Sequence, residues 1–265
     1  SQELVDRPAS SVTHMLQGRV PGLNITTSSG VPGNTASFNI RGTNSINGGS
    51  PLVLVDGVEG DLDRVNPNDI ESISVLSGSA AAALYGSAAA NGVVLITTKK
   101  GAVDKTRLTY SNNSTFYSPF RLPEFQNTYG SETGEWYSWA SKLSSPTDYE
   151  VKDFFQTGYN VANTVSLTTG TQKNQTYVSV GAVNARGIIQ NNDLDRYNFS
   201  VRNTTSMLND KLTMDLSFMY SNVKEQNMLS QGEYANPLVP VYLFPRGDDF
   251  CLLYTSPSPR DRSLS

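Results

Sequence analysis

Over Leu212 to Ser221, apolar and polar side chains fall largely in alternation. Leu212, Met214, Leu216, Phe218 and Tyr220 fall on one face, and Thr213, Asp215, Ser217 and Ser221 on the other. A period of two over ten residues marks a β-strand with one apolar and one wet side, and ten residues also span a bilayer when the strand is tilted. Tyr197, Phe199 and Val201 against Asn198, Ser200 and Arg202 repeat the pattern. Residues 174–182 and 161–169 are further candidate strands, and Leu108 to Tyr117 is a fifth with weaker alternation. The connections alternate in length: Gly170 to Asn174 and Leu208 to Lys211 are short, whereas residues 118–160, 184–195 and 224 onward are longer. Outer-membrane barrels show this asymmetry, but soluble antiparallel sandwiches alternate too, so the pattern by itself leaves both open.

Composition narrows the chemistry. A chain of 265 residues, 37% of them hydrophobic, has material for one large domain or two small ones. The formal charge of -4 comes from 20 basic and 24 acidic residues without a like-charged run, which argues against nucleic-acid binding. The longest aliphatic run, Val93 to Ile96, is far too short for a membrane-spanning helix. One Cys and one His cannot supply the four ligands of a structural zinc site, and no disulfide can close within the chain. His14, lacking such partners, is expected on a helix surface. No Gly-x-Ser-x-Gly elbow is present, and Gly78-Ser79-Ala80 lacks the Gly-Lys-Ser/Thr of a phosphate loop. Asp56, Glu59, Asp61 and Asp63 miss the alternating ligands of a calcium loop and read as a solvated turn. No catalytic residue, metal site or cofactor is expected.

The two ends read differently from the middle. Cys251 to Asp261 has no strand or helix period, and one back-translation of it matches a transposon adapter used in sequencing libraries. Residues 251–265 are therefore expected to be a non-native tail, the alternative being a natural Ser/Pro-rich end. On the adapter reading the frame broke off inside a longer protein. Ser1-Gln2-Glu3-Leu4 has neither a basic start nor an apolar stretch, so a signal peptide is expected to be missing or removed.

The first hundred residues carry a different pattern. Ser10 or Ser11 can cap a short helix whose apolar face is Val12, Met15 and Leu16, with Gly18 suited to the left-handed position after it. Short strands follow at Leu23–Thr26, Ala36–Arg41 and Pro51–Val58, the last reaching the turn dipeptide Asp56-Gly57. Asn66 to Ile73 fits one capped helical turn with Pro67 near its start, leading into a strand Ser74 to Leu76. An alanine-rich helix over Ala80–Gly86, an Ala-Asn-Gly turn and a strand from Val93 complete a compact α+β domain with many glycine turns.

Six motifs in order now resemble the plug domain of TonB-dependent outer-membrane transporters. They are Leu16 to Gly22, Ile40 to Thr43, Pro51 to Val58, Asn66 to Ile73, Ala83 to Gly86 and Ala90 to Gly101. The Asn-Pro-Asn-Asp turn, the Ala-Asn-Gly turn and the Thr-Thr-Lys-Lys-Gly ending are similar to the SusC/RagA branch found in Bacteroidota. The resemblance covers about residues 8–101 and implies an α+β plug domain followed by an incomplete antiparallel transmembrane β-barrel. The domains would be 1–104 (plug), 105–250 (about five barrel strands) and 251–265 (the tail). The plug-motif residues are Gly18, Pro21, Gly22, Arg41, Gly42, Asp56, Gly57, Asn66, Pro67, Ile70, Tyr85, Gly86, Asn91 and Gly92.

The same resemblance implies an outer-membrane active transporter importing glycans or peptides, and not an enzyme. Its partners would be the TonB complex, through a contact segment N-terminal to Ser1, a SusD-like surface lipoprotein acting as a lid, an oligosaccharide or peptide substrate, and outer-membrane lipid. The whole barrel would have about 22 strands, the size class that leaves a plugged lumen. Arg202 and Asp215 would line that lumen, with Leu216 and Phe218 toward lipid. Trp136 and Trp139, among the aromatics Tyr137, Tyr149, Phe154 and Phe155, are candidate substrate or partner contacts, although aromatic clusters of this kind commonly serve packing. The alternative class is a β-rich surface binding or adhesion module without transport.

Overall fold

The computed structural model describes residues 11–18, 20, 23–27, 30–34, 36–40, 50–76, 78–132, 137–146, 150–227, 236 and 238–246. The chain divides into two compact units, one of residues 1–116, 158–187 and 192–226 and the other of residues 117–157, 188–191 and 227–265.

The first unit begins with helix α1 (Val12–Leu16), whose first turn is capped by the Ser11 hydroxyl accepting from the His14 N–H. Strands β1 (Leu23–Thr26) and β2 (Ser37–Ile40) pair antiparallel. The strands β3 (Leu52–Val55), β4 (Val58–Glu59), β5 (Ile70–Leu76) and β6 (Val93–Thr98) form one sheet in the order β4-β3-β6-β5. β3 and β6 run parallel at its centre and are nearly continuously apolar, as strands covered on both faces must be. One face packs α1, β1 and β2 through Val12, Leu16, Ile25, Ile40, Val53, Val55 and Ile96. The other packs Ala81 of helix α2 (Gly78–Tyr85) and Ala89 against Leu54 and Val93. Alanine suits that helix because its small side chain brings the helix backbone close to the sheet.

Five long strands form the second sheet of this unit, in the order β11-β10-β9-β8-β7. They are β7 (Arg107–Tyr117), β8 (Gly158–Gly170), β9 (Asn174–Arg186), β10 (Asp193–Met207) and β11 (Leu212–Gln226). Neighbours from β8 to β11 pair antiparallel without a register shift. In β10 the alternation resolves as expected, with Arg196, Asn198, Ser200 and Arg202 buried and Tyr197 and Phe199 exposed, whereas β11 at the sheet's edge is exposed on both faces. The Phe199 and Phe218 rings meet edge-on on the outward face.

Several boundaries differ from the sequence expectation. Ile70 to Ile73 belongs to strand β5, not to the helical turn, which is a 3-10 turn confined to Pro67–Asp69. Ile70 is fully buried and pairs with Thr98, and it, Ile73 and Val75 are β-branched and favour the extended backbone. The expected long connection at 184–195 shrinks to residues 187–192, because β9 runs to Arg186 and β10 starts at Asp193, where the two side chains form an ion pair. β11 likewise continues through Val223 to Gln226. His14 is half buried with Nε2 enclosed, not on an open helix surface.

The second unit is more than loop. It carries a 3-10 turn (Val151–Phe154) with a capping box of Glu150 and Asp153, and a helix α3 (Leu238–Leu243) that sequence reading placed in a loop. Val151, Phe154 and Val241 form its small core.

Candidate functional site

The inward face of β8, β9 and β10 meets the turns of the N-terminal α/β part through polar contacts, in three groups. The first centres on Asp56. The two-residue turn Asp56-Gly57 has positive φ at both positions (49° and 89°), the geometry that joins twisted strands most directly and that Gly57 adopts without strain. The turn aims the Asp56 carboxylate at the end of β6. There Oδ1 accepts the Thr98 N–H at 2.9 Å and Oδ2 the Thr98 hydroxyl at 2.5 Å.

From β10, Arg202 Nη1 donates to Asp56 Oδ1 and to the Thr98 carbonyl, both at 2.8 Å. Its other edge grips Asp215 of β11 in a two-pronged pair, Nε to Oδ1 at 3.0 Å and Nη2 to Oδ2 at 2.8 Å. Lys100 Nζ stands 3.3 Å from the same carboxylate. Two cations and two anions balance, as a guanidinium only 8% exposed requires.

The second group surrounds Asp69, which is 2% exposed. Its carboxylate accepts three hydroxyls from the strands: Tyr177 at 2.9 Å, Ser179 at 2.6 Å and Ser200 at 2.7 Å. The third surrounds Asn66. Its Oδ1 caps the following turn by accepting the Asn68 N–H at 3.0 Å, while its Nδ2 and that of Asn68 donate to the Thr164 hydroxyl at 3.2 and 3.0 Å. Gly181 makes room for this, since a Cβ there would lie 2.6 Å from Asn66 Nδ2. Arg196 Nη1 and Asn198 Nδ2 donate to the carbonyls of Asp63 and Arg64 at 2.6 and 2.7 Å.

A seam built this way holds two bodies in register yet can be undone in steps. Each neutral hydrogen bond is worth only about 0.5–1.5 kcal/mol net, because water replaces it once it opens. An apolar interface of the same extent would expose its whole area on parting.

The structure brings together Asp56, Asn66, Arg202 and Asp215 of the sequence candidates. Pro67 is buried at the first position of its turn, and Ile70 lies in the core. Gly18, Gly86 and Gly92 take positive φ in turns, Asn91 precedes Gly92, and Tyr85 ends α2 with 39% of its surface exposed. Pro21, Gly22, Arg41, Gly42 and Trp136 lie outside the described residues, as do residues 251–265. Sequence reading missed Asp69, Tyr177, Ser179, Arg196 and Thr164. The inward polar row of β10 was the available signal for Arg196; Asp69 lies in the Asn66 to Ile73 motif, but nothing local marked its carboxylate as the acceptor of hydroxyls from the strands.

In the second unit Trp139 is exposed and stacked on Tyr137 at 6.0 Å, whereas Phe154 and Phe155 pack edge-on at 5.3 Å in its small core. The aromatics thus divide between packing and presentation. Lys152, in solvent, has its ammonium pKa raised by the hydrogen bond to Glu150 and by that carboxylate's charge. No group of three His, Cys, Asp or Glu side chains able to hold a metal occurs among the described residues.

Residues 1–93 match the family model of the TonB-dependent receptor plug domain. The chain is 32% identical over 258 residues to TonB-dependent receptor P26 of Formosa agariphila, covering 89% of this chain and 26% of that one. It is 30% identical over 246 residues to TonB-dependent receptor SusC of Bacteroides thetaiotaomicron, covering 84% and 24%. The solved structure of the RagAB peptide importer in a closed state superposes with a TM-score of 0.71 at 26% identity, over 87% of this chain and 31% of that chain. The chain belongs to the TonB-dependent receptors of the SusC/RagA type. It spans about a quarter of the length of these curated relatives. In this receptor the N-terminal α/β part is plug, the long strands are barrel wall, and the polar seam is where the two meet. SusC/RagA-type receptors are outer-membrane proteins and not enzymes.

Proposed function

We propose that this receptor imports oligosaccharides or peptides across the outer membrane in a TonB-dependent manner, with a SusD-like surface lipoprotein delivering the substrate. The polar seam carries this reading: a plug held to its wall by ion pairs and hydrogen bonds is a stopper made to be moved. The likeness to a peptide importer supports the peptide class. Residues 1–104 are assigned to the plug, 105–250 to the first strands of the wall and 251–265 to a segment foreign to the protein. Arg202 and Asp215, with Asp56 and Thr98, serve as a latch on the lumen side, and Trp139 as a candidate substrate contact.

The test is uptake of labelled peptides and labelled oligosaccharides by cells carrying the full-length receptor, with and without TonB. Accumulation of one class that disappears without TonB is the expected result. Surface binding with no TonB-dependent accumulation would make the protein an adhesion module instead.

A further inference from the structure

The second unit holds a cleft of about 560 Å³, lined by residues of the stretch 119–127, by the start of the 3-10 turn at Val151 and by Arg246. Sites for small ligands commonly measure about 300–1,000 Å³. Arg246 is buried, with 5% of its surface exposed, where arginine is seldom found unless it has work to do. Its guanidinium carbon lies 4.9 Å over the Phe125 ring, and Phe125 stacks with Tyr242 of α3 at 5.9 Å. Its backbone N–H donates to the Ser138 hydroxyl at 3.0 Å. The ring contact fixes the cation at the cleft wall, and the planar fork of a guanidinium matches a carboxylate.

The charges of the cleft decide between ligand classes. Glu150 is answered by Lys152, with which it forms an ion pair. Arg246 and the exposed Glu124 are the other two charges of its lining, one of each sign. A neutral oligosaccharide uses neither, and an acidic one, carrying anions alone, meets Glu124 with like charge. A peptide carries both signs. Phe120 is fully exposed beside Pro119 and Pro123, an apolar wall that a peptide side chain covers at a gain.

We propose that this cleft is a peptide subsite: Arg246 binds a carboxylate of the peptide, Glu124 faces a cationic group, and Phe120 packs on a side chain. The proposal rests on the import reading and narrows its substrate to peptides.

The experiment is equilibrium binding of tryptic casein peptides to the full-length receptor purified in detergent, read by mass spectrometry. The peptides are used with their carboxyls free or amidated, and malto-oligosaccharides represent the other class. Free peptides should bind, and amidation should weaken them about tenfold or more. Arg246→Gln should lower the free peptides to the amidated level, so that amidation has no further effect. Phe120→Ala, which removes a ring in solvent, should weaken both forms about threefold. If peptides without Asp or Glu also lose binding on amidation, the bound carboxylate is the C-terminal one; a loss confined to Asp- or Glu-containing peptides makes it a side chain.

The same amidation effect in Arg246→Gln as in the parent, unchanged binding in Phe120→Ala, or retention of oligosaccharides without peptides would overturn the proposal. Should Arg246→Gln not fold, Arg246→Lys, which keeps the charge and loses the fork, takes its place, and parental affinity there would equally overturn it. Uptake is measured separately. TonB-dependent import of oligosaccharides alone would sink the subsite and leave import standing, whereas peptide binding without TonB-dependent uptake would do the reverse.

Discussion

Arg202 is held by one carboxylate 13 residues away and another 146 residues away. That spread explains what sequence could show at this scale. Period-two alternation placed Arg202 and Asp215 on the inward face, and the Asp-Gly pair marked a turn, but their meeting depends on a plug folded inside a wall. Asn66 was legible as a cap because capping is local, and Asp69 was not, because its hydroxyl partners come from β9 and β10. Arg202→Ala is predicted to leave Asp56 and Asp215 without their shared cation and to cost about 3 kcal/mol or more, read as a lower melting temperature of the full-length receptor. Arg202→Lys should fall between, since an ammonium cannot make the two-pronged pair. At Gly181, alanine should push the Asn66 side chain off Thr164 and cost about 1–2 kcal/mol. Unchanged stability in Gly181→Ala would mean the Asn66 cap is not held by β8.

At the scale of elements, the strands were the most legible part. The interior of β10 alternates cleanly, β11 breaks the period at Met219, and strand ends failed where pairing overrode composition, as at Arg186 and Asp193, which pair past the expected turn. Helix α3 was hidden because a six-residue segment with an internal proline carries no helical period; the ring is tolerated in the first turn, where its missing N–H has no partner to lose. The β10–β11 turn holds Leu208, Asn209 and Asp210 all at positive φ, and leucine is the residue least suited to it. Leu208→Gly is accordingly expected to stabilise the receptor by about 1 kcal/mol, seen as a higher melting temperature, whereas a loss would show that the side chain has a packing role. On the outward face, Phe218→Arg should cost about 2–4 kcal/mol and lower the folded yield in outer membranes, while Phe218→Leu should not.

For the molecule as a whole, residues 1–116, 158–187 and 192–226 form one unit, which holds the plug and a five-stranded open sheet. Strands β7 and β11 are the sheet's edges among the described residues, and in a bilayer an open edge leaves N–H and C=O groups without partners. The 265-residue chain expressed alone is thus predicted to aggregate and not insert, which protease sensitivity of the membrane fraction will show. Of the aromatic candidates in the loop unit, Tyr137 and Trp139 are exposed and stacked on each other.

The central claim is that the plug rests on the inner face of β8 to β10 and must leave it for substrate to pass. A pair of cysteines at Asn68→Cys and Thr164→Cys replaces side chains that now share a hydrogen bond of 3.0 Å across the seam. In the full-length receptor, the oxidised pair should form a disulfide and abolish TonB-dependent uptake, and reduction should restore it, with neither single cysteine having the effect. Full uptake through a receptor whose disulfide is shown to be complete would contradict the claim.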